Sequence, residues 1–167
     1  MSINFHENAC QTLIKEKYFG LYDSEDRTPV KVVNFDSDLS NARVINEREL
    51  EIRLTAIDNC IVINRENGEM DNRCDAMICY ESNLLFIELK NKRGSWQSEG
   101  LNQIENTVKR MIEDDSKFFY GFKKRKAIVA NRKYQFPSFH ESNKEQREYF
   151  NLKYNIRLQF EADIFIK

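Results

Sequence analysis

Apolar and polar positions alternate along this chain with a period that changes from one stretch to the next. Phe5, Ala9, Leu13, Ile14 and Tyr18 fall at the spacing of one helical face, with Gly20 as a stop, which predicts a first helix over 5–18. Residues 30–35 read as a short strand and 36–41 as the turn that ends it. The stretch 46–57 fits both periods. Leu50, Leu54 and Ile57, with Asn46 and Glu49 as a capping pair, suit a helix, whereas Leu50, Ile52 and Leu54 alternate as in a strand; the helix is the preferred reading. Three short strands follow at 60–64, 73–80 and 84–90, joined by turns at 66–69 and 81–83, and these make a meander. Leu101, Ile104, Val108, Met111 and Ile112 then form one stripe of a helix over 98–113, with Ser98 as its cap. Residues 127–130 form a buried strand, 131–142 an aromatic-studded loop and 142–145 the opening of another helix. Leu152, Tyr154, Ile156, Leu158 and Phe160 alternate as a closing strand. Helices interleaved with strands predict an α/β class.

Composition narrows the functional classes. With 167 residues, of which 41% are apolar, the chain supports one domain, 1–167, with its own core. Charged residues make up 32% and nearly cancel at net −1, which excludes a disordered chain and a uniformly basic nucleic-acid coat. Two distant histidines, His6 and His140, and five glycines without a phosphate-binding spacing turn attention away from histidine-rich metal hydrolases and Gly-rich phosphate loops. The four cysteines, Cys10, Cys60, Cys74 and Cys79, form no Cys-x-x-Cys pair and read as reduced, buried residues. The first residues lack a basic stretch followed by an apolar one, and no apolar run approaches a membrane span, so a cytoplasmic location is expected.

Charge in apolar surroundings is the informative anomaly. Leu84-Leu-Phe-Ile87 is a continuous apolar run, as in a strand buried on both faces, and it ends in Glu88-Leu89-Lys90. With a period of two, Glu88 and Lys90 project from the same face at the same strand end. In the preceding strand, Asp75 is the ionisable group among Cys74, Ala76, Met77 and Ile78, and antiparallel pairing brings it close to Glu88 or Lys90. Two carboxylates converging at a strand end suit a hard cation such as Mg²⁺ or Mn²⁺, and an adjacent lysine suits a developing phosphate charge. A structural ion pair at the end of a sheet is the plainer interpretation of the same residues.

The pattern resembles the PD-(D/E)xK nuclease superfamily, with its restriction-endonuclease-like fold. The resemblance rests on Arg73-Cys74-Asp75-Ala76-Met77-Ile78 and Phe86-Ile87-Glu88-Leu89-Lys90, on the helix and strand that follow, and on about residues 46–131. It implies a mixed central sheet flanked by helices, built as a three-strand meander, helix and strand. It also implies Asp75 and Glu88 as ligands of Mg²⁺ or Mn²⁺, the Leu89 carbonyl as a further ligand, and Lys90 as the catalytic lysine. Cys74 stands where the motif has proline. Glu47, Glu49, Glu51 or Glu7 is the candidate for the acidic residue of the preceding helix, and Gln103 is followed by Thr107 where some members have tyrosine.

Basic residues that follow the motif are candidates for phosphate contacts: Lys92, Arg93, Lys109 and Arg110, with 123–126, Arg132 and Lys133 beyond them. Trp96, Gln97, Tyr134, Phe136 and Phe139 are candidates for base stacking, or in the case of the Phe residues for core packing. The expected activity is phosphodiester hydrolysis, most naturally of DNA with RNA as the other substrate, and the resemblance implies a defence, mobile-element or repair setting in a bacterium or phage. The expected source of specificity is a homodimer or a partner protein. The rival expectations are a catalytically silent subunit of the same fold and, more distantly, a small binding protein of the immunity type.

Overall fold

The computed structural model describes residues 2–134 and 143–167. Its centre is a six-stranded mixed sheet in the spatial order β1 (Gln11–Ile14), β5 (Ile52–Ala56), β6 (Ala76–Tyr80), β7 (Asn83–Leu89), β8 (Lys124–Ala130) and β9 (Ile156–Gln159). A four-stranded mixed sheet runs β10 (Asp163–Phe165), β4 (Ala42–Ile45), β2 (Tyr18–Tyr22) and β3 (Lys31–Val33). The α-helices of the described residues are α1 (Trp96–Gly121) and α2 (Lys144–Tyr154). The chain is therefore mixed α/β. Strands β5, β6 and β7 form an antiparallel meander, α1 carries the chain to β8 parallel to β7, and α2 carries it on to β9 parallel to β8.

Side-chain alternation in the central strands separates two apolar layers. Met77, Leu84, Phe86 and Val129 pack with Ile104, Val108 and Met111 of α1 and with Phe150 of α2. Ile78, Leu85, Ile87 and Ile128 pack with Phe19, Leu21, Val44 and Ile164 of the small sheet. The layers are thus helices, central sheet and small sheet. All seven residues of β7 are buried, because both of its faces are covered, and this is why 84–87 reads as one apolar run.

Several local expectations are overturned. Residues 5–18 form no long helix: a 3₁₀ turn, Asn8–Cys10, leads into β1, which pairs with β5, and β2 pairs with β4. Leu13 and Tyr18, which the helical spacing would bury, are exposed. In 46–57 the strand period wins. Asn46 does not cap a helix; its side chain accepts from the Leu50 N–H at 3.1 Å and donates to the Leu50 carbonyl at 2.9 Å, closing a turn in which Glu49 has φ of 50°. Residues 60–64 are not a meander strand. The chain turns back with Ile61 N–H on the Ile57 carbonyl, and only Asn64 bridges to Met70 around the turn at 66–69. The meander's first strand is β5 instead. The cap of α1 is Ser95 rather than Ser98, and the helix extends past non-helical Asp115 to Gly121. Leu152 and Tyr154 belong to α2, and β9 starts only after Asn155, at φ of 53°, ends that helix.

The cysteine expectation is corrected in half. Cys10 and Cys60 form a disulfide, while Cys74 and Cys79 are free thiols. The pair lies 50 residues apart and is joined because the N-terminal 3₁₀ turn packs on the loop after β5, a tertiary contact that spacing motifs do not report. No helix of the described residues is long and apolar enough to cross a membrane.

Candidate active site

The register Ala76↔Ile87 continues one step to set Asp75 opposite Glu88, at the end of the meander where β7 is about to leave the sheet. Three contacts tie the pair together. The Asp75 N–H donates to Glu88 Oε2 at 3.2 Å, the Leu89 N–H donates to Asp75 Oδ2 at 2.6 Å, and Lys90 Nζ lies 2.9 Å from Glu88 Oε1. Asp75 and Glu88 are 4% and 2% exposed, whereas the Lys90 side chain is 13% exposed and forms the outer edge of the cluster. Asp75, Glu88, Leu89 and Lys90 are therefore brought together at one strand end.

Helix α1 closes over this end because Gly100 has no side chain. A Cβ there would stand 2.5 Å from Val129 Cγ1 and 3.3 Å from Glu88 Cγ. One turn further on, the Gln103 carboxamide oxygen accepts from Lys90 Nζ, and its Nε2 donates to the Arg73 carbonyl at 3.3 Å. Thr107 stands four residues after Gln103, one turn further along the helix. Its hydroxyl accepts from the Cys74 N–H at 2.9 Å and donates to the Gln103 carbonyl at 3.0 Å, so it supports the strand from behind.

Burial sets the electrostatics. It pushes the Asp75 carboxyl well above the ordinary carboxylate range, with the nearby charges of Glu88, Asp23 and Asp58 adding to it and the Leu89 N–H opposing. Glu88 is raised to about 7, again mainly by burial, with Lys90 pulling it down. Asp23 is also raised, by burial and by the charge of Asp58. Asp23 and Asp58 thus share the electrostatic neighbourhood of the pair, and neither was expected from the sequence. Asp58 lies two residues past β5, its N–H and that of Ile57 meeting the Asp75 carbonyl at 3.3 and 2.8 Å, and its carboxylate lies 3.0 Å from buried Arg73. A carboxylate directly after the mostly apolar stretch 54–57 is the available signal, hidden by the helical reading of that segment. The proposed helical acids lie elsewhere: Glu47 holds Tyr18 and Lys17, Glu51 meets Lys15, Glu49 is an exposed turn residue, and Glu7 caps the 3₁₀ turn.

The basic candidates divide by position. Lys92 and Arg93 follow Lys90 at the same end of the sheet, Lys92 paired with Glu99 at 2.6 Å and Arg93 lying 5.2 Å from the Tyr134 ring centre. Lys109 pairs with Glu105, and Arg110 donates to the Asn64 carbonyl, so both face the 64–72 loop. The run 123–126 does not serve the site. Lys124 pairs with Asn83 at the far end of β7, six residues and about 20 Å from the Leu89↔Ala130 pair. Within that run Arg125 is buried and donates to the Phe119 and Phe122 carbonyls. Arg132 is likewise occupied, on the Ser37 carbonyl and the Ser40 hydroxyl, while Lys133 lies over the Tyr134 ring. Trp96 packs edge-on against Phe160, and Gln97 lines a groove with Asn102, Tyr149 and Phe150. His6 pairs with Asp115. Phe136, Phe139 and His140 lie outside the described residues.

Among the described residues no three His, Cys, Asp or Glu side chains are gathered into a ready metal cage. The donor set is two buried carboxylates and backbone carbonyl oxygen, a hard, oxygen-only set that suits Mg²⁺ or Mn²⁺ with waters as the remaining ligands. Burial, which raises both carboxyls, leaves their charged forms poorly solvated, and a cation held there would offset that cost. Scans against protein-family models, curated proteins and solved structures find no match to this chain.

Proposed function

We propose that this chain is a divalent-metal-dependent nuclease, acting on DNA in the first place, built on a restriction-endonuclease-like core of β5, β6, β7, α1 and β8. The observation that carries the reading is the convergence of Asp75, Glu88 and Lys90 on one face of one strand end, with both carboxylates buried and the ammonium at the rim. Asp75, Glu88 and the Leu89 carbonyl are the residues that would hold Mg²⁺ or Mn²⁺, and the ion would polarise a phosphate oxygen and lower the pKa of a bound water. The protein's own groups do the rest. Lys90 presents a positive charge where a phosphodiester gains negative charge on attack, and Gln103 fixes its direction. Lys92 and Arg93, exposed on the loop that follows, are cations placed for the neighbouring phosphates. The compact fold leaves sequence specificity to a second copy or a partner protein.

A second reading has its own support. Both oxygens of Glu88 and one of Asp75 already accept hydrogen bonds within the protein, as in a purely structural ion-pair network. In that case the chain is a silent nuclease-fold subunit that binds nucleic acid or protein. Incubation with linear, circular and single-stranded DNA and with RNA, in Mg²⁺ or Mn²⁺ and then in excess EDTA, separates the two. Cleavage that EDTA abolishes is expected; no cleavage of any form in either metal favours the silent subunit.

A further inference from the structure

Asn41 stands at the seam between the small sheet and the candidate site, 5% exposed, with each of its polar groups engaged. Its Oδ1 accepts from the Asp23 N–H at 2.9 Å and its Nδ2 donates to the Lys90 carbonyl at 3.4 Å. Its main-chain N–H donates to the Leu21 carbonyl at 2.8 Å, and its carbonyl accepts from the Arg132 N–H at 3.0 Å. One residue therefore joins the end of β2, the end of β7 and the segment after β8. The loop that carries it is held from both sides. Arg132 Nη1 donates to the Ser37 carbonyl and the Ser40 hydroxyl, each at 2.7 Å. On the other side Gly20 lets the loop lie flat on β2, because a Cβ at that position would stand 2.9 Å from Ser40 Cβ.

We propose that Asn41 is a positioning residue for the site: its carboxamide couples the main chain of Lys90 to that of Asp23, so that the small sheet fixes where the strand carrying Glu88 and Lys90 ends. Lys90 is the first residue beyond β7, tied to the sheet by its N–H on the Ala130 carbonyl at 2.7 Å. Removing the Asn41 donor leaves the Lys90 carbonyl without that anchor. Gln103 then holds the ammonium while the main chain beneath it is looser, and the Glu88–Lys90 contact loses definition. Groups that orient the residues of a reacting site in this way typically change metal affinity or activity by about 10- to 100-fold when removed.

The inference rests on the nuclease reading for its kinetic readout and not for its structural one. The test compares the full chain with its Asn41→Ala variant by amide hydrogen exchange, by Mn²⁺ titration followed through the melting temperature, and by kcat and KM on DNA. The Lys90 and Asp23 amides are expected to exchange at least about tenfold faster in Asn41→Ala, while amides in the middle of β7 keep their rates. Mn²⁺ affinity is expected to fall about tenfold, and kcat about tenfold with KM changed less than about twofold. A variant that melts lower but keeps the wild-type Lys90 exchange rate, Mn²⁺ affinity and kcat overturns the inference and makes Asn41 a loop-stabilising residue only. If wild type neither binds Mn²⁺ nor cleaves, the nuclease reading fails and the site role with it, and Lys90 exchange then decides the structural half alone: unchanged exchange overturns the coupling of Asn41 to the end of β7 and faster exchange upholds it. Should Asn41→Ala fail to fold, Asn41→Asp keeps the acceptor for Asp23, removes the donor to Lys90, and is expected to show the same losses at Lys90.

Discussion

Glu88 is held where its charged form is disfavoured, and this has a sign that can be measured. Its carboxyl is raised from the ordinary 4.5 to about 7, chiefly by burial. A carboxyl raised by folding stabilises the fold fully below pH 4.5 and loses that contribution as pH rises through about 7. The difference corresponds to about 2–3 kcal/mol between pH 5 and pH 8. Asp75 is shifted in the same direction. The protein without metal should therefore lose stability from pH 5 to pH 8, and Glu88→Gln should flatten part of that slope. Urea unfolding of both proteins at the two pH values checks it; parallel slopes would show Glu88 titrating as an exposed carboxyl does. Added Mn²⁺ should reverse the loss for wild type at pH 8, because an ion that binds the folded charged pair stabilises it by linkage, and should do little for Glu88→Gln.

At the scale of elements, the site depends on how closely α1 lies on β7 and β8. Gly100→Ala improves helix propensity by about 1 kcal/mol, but the new Cβ meets Val129, a β-branched side chain with little rotamer freedom. The clash should win, for a net loss of about 1–2 kcal/mol visible as a lower urea midpoint, and the helix should shift away from Glu88. An unchanged or higher midpoint would mean that the helix accommodates the methyl without moving. The N-terminal segment makes a separate demand. The Cys10–Cys60 disulfide ties it to the loop that precedes the site strand, closing a span of 50 residues. Chain-entropy reasoning assigns such a crosslink about 4 kcal/mol. Reduction with dithiothreitol, or Cys10→Ser, should lower the melting temperature of the whole chain. A reduced protein that melts with the oxidised one would show that packing of the 3₁₀ turn alone holds the segment.

Across the whole molecule, what could be read from the sequence was the chemistry that breaks an apolar pattern. Asp75 and Glu88 interrupt strands that both layers bury, and their period-two placement with Lys90 needs no tertiary knowledge beyond one hairpin. The helix α1 and the strand β8 were legible for the same reason, a long stripe and a short apolar run. Residues 5–18 and 46–57 were misread because helical spacings arise by chance in strands that alternate imperfectly, and the choice was made by pairing with distant strands. Asp23, Asn41 and the Cys10–Cys60 link were not legible, since each acquires its role from the packing of the small sheet or the N-terminal segment. The helical neighbour expected to supply an acid is replaced by strands and loops, and the further carboxylates whose charge reaches Asp75 are Asp58 and Asp23.

Hydrolysis of DNA by the purified chain in Mn²⁺, measured beside Asp75→Ala and Lys90→Ala variants shown by circular dichroism to be folded, tests the central claim most directly. Loss of a group that stabilises charge in the reaction costs about 100-fold or more, so wild type should cleave and both variants should fall at least that far. Cleavage that survives both substitutions at the wild-type rate would contradict the assignment of the site.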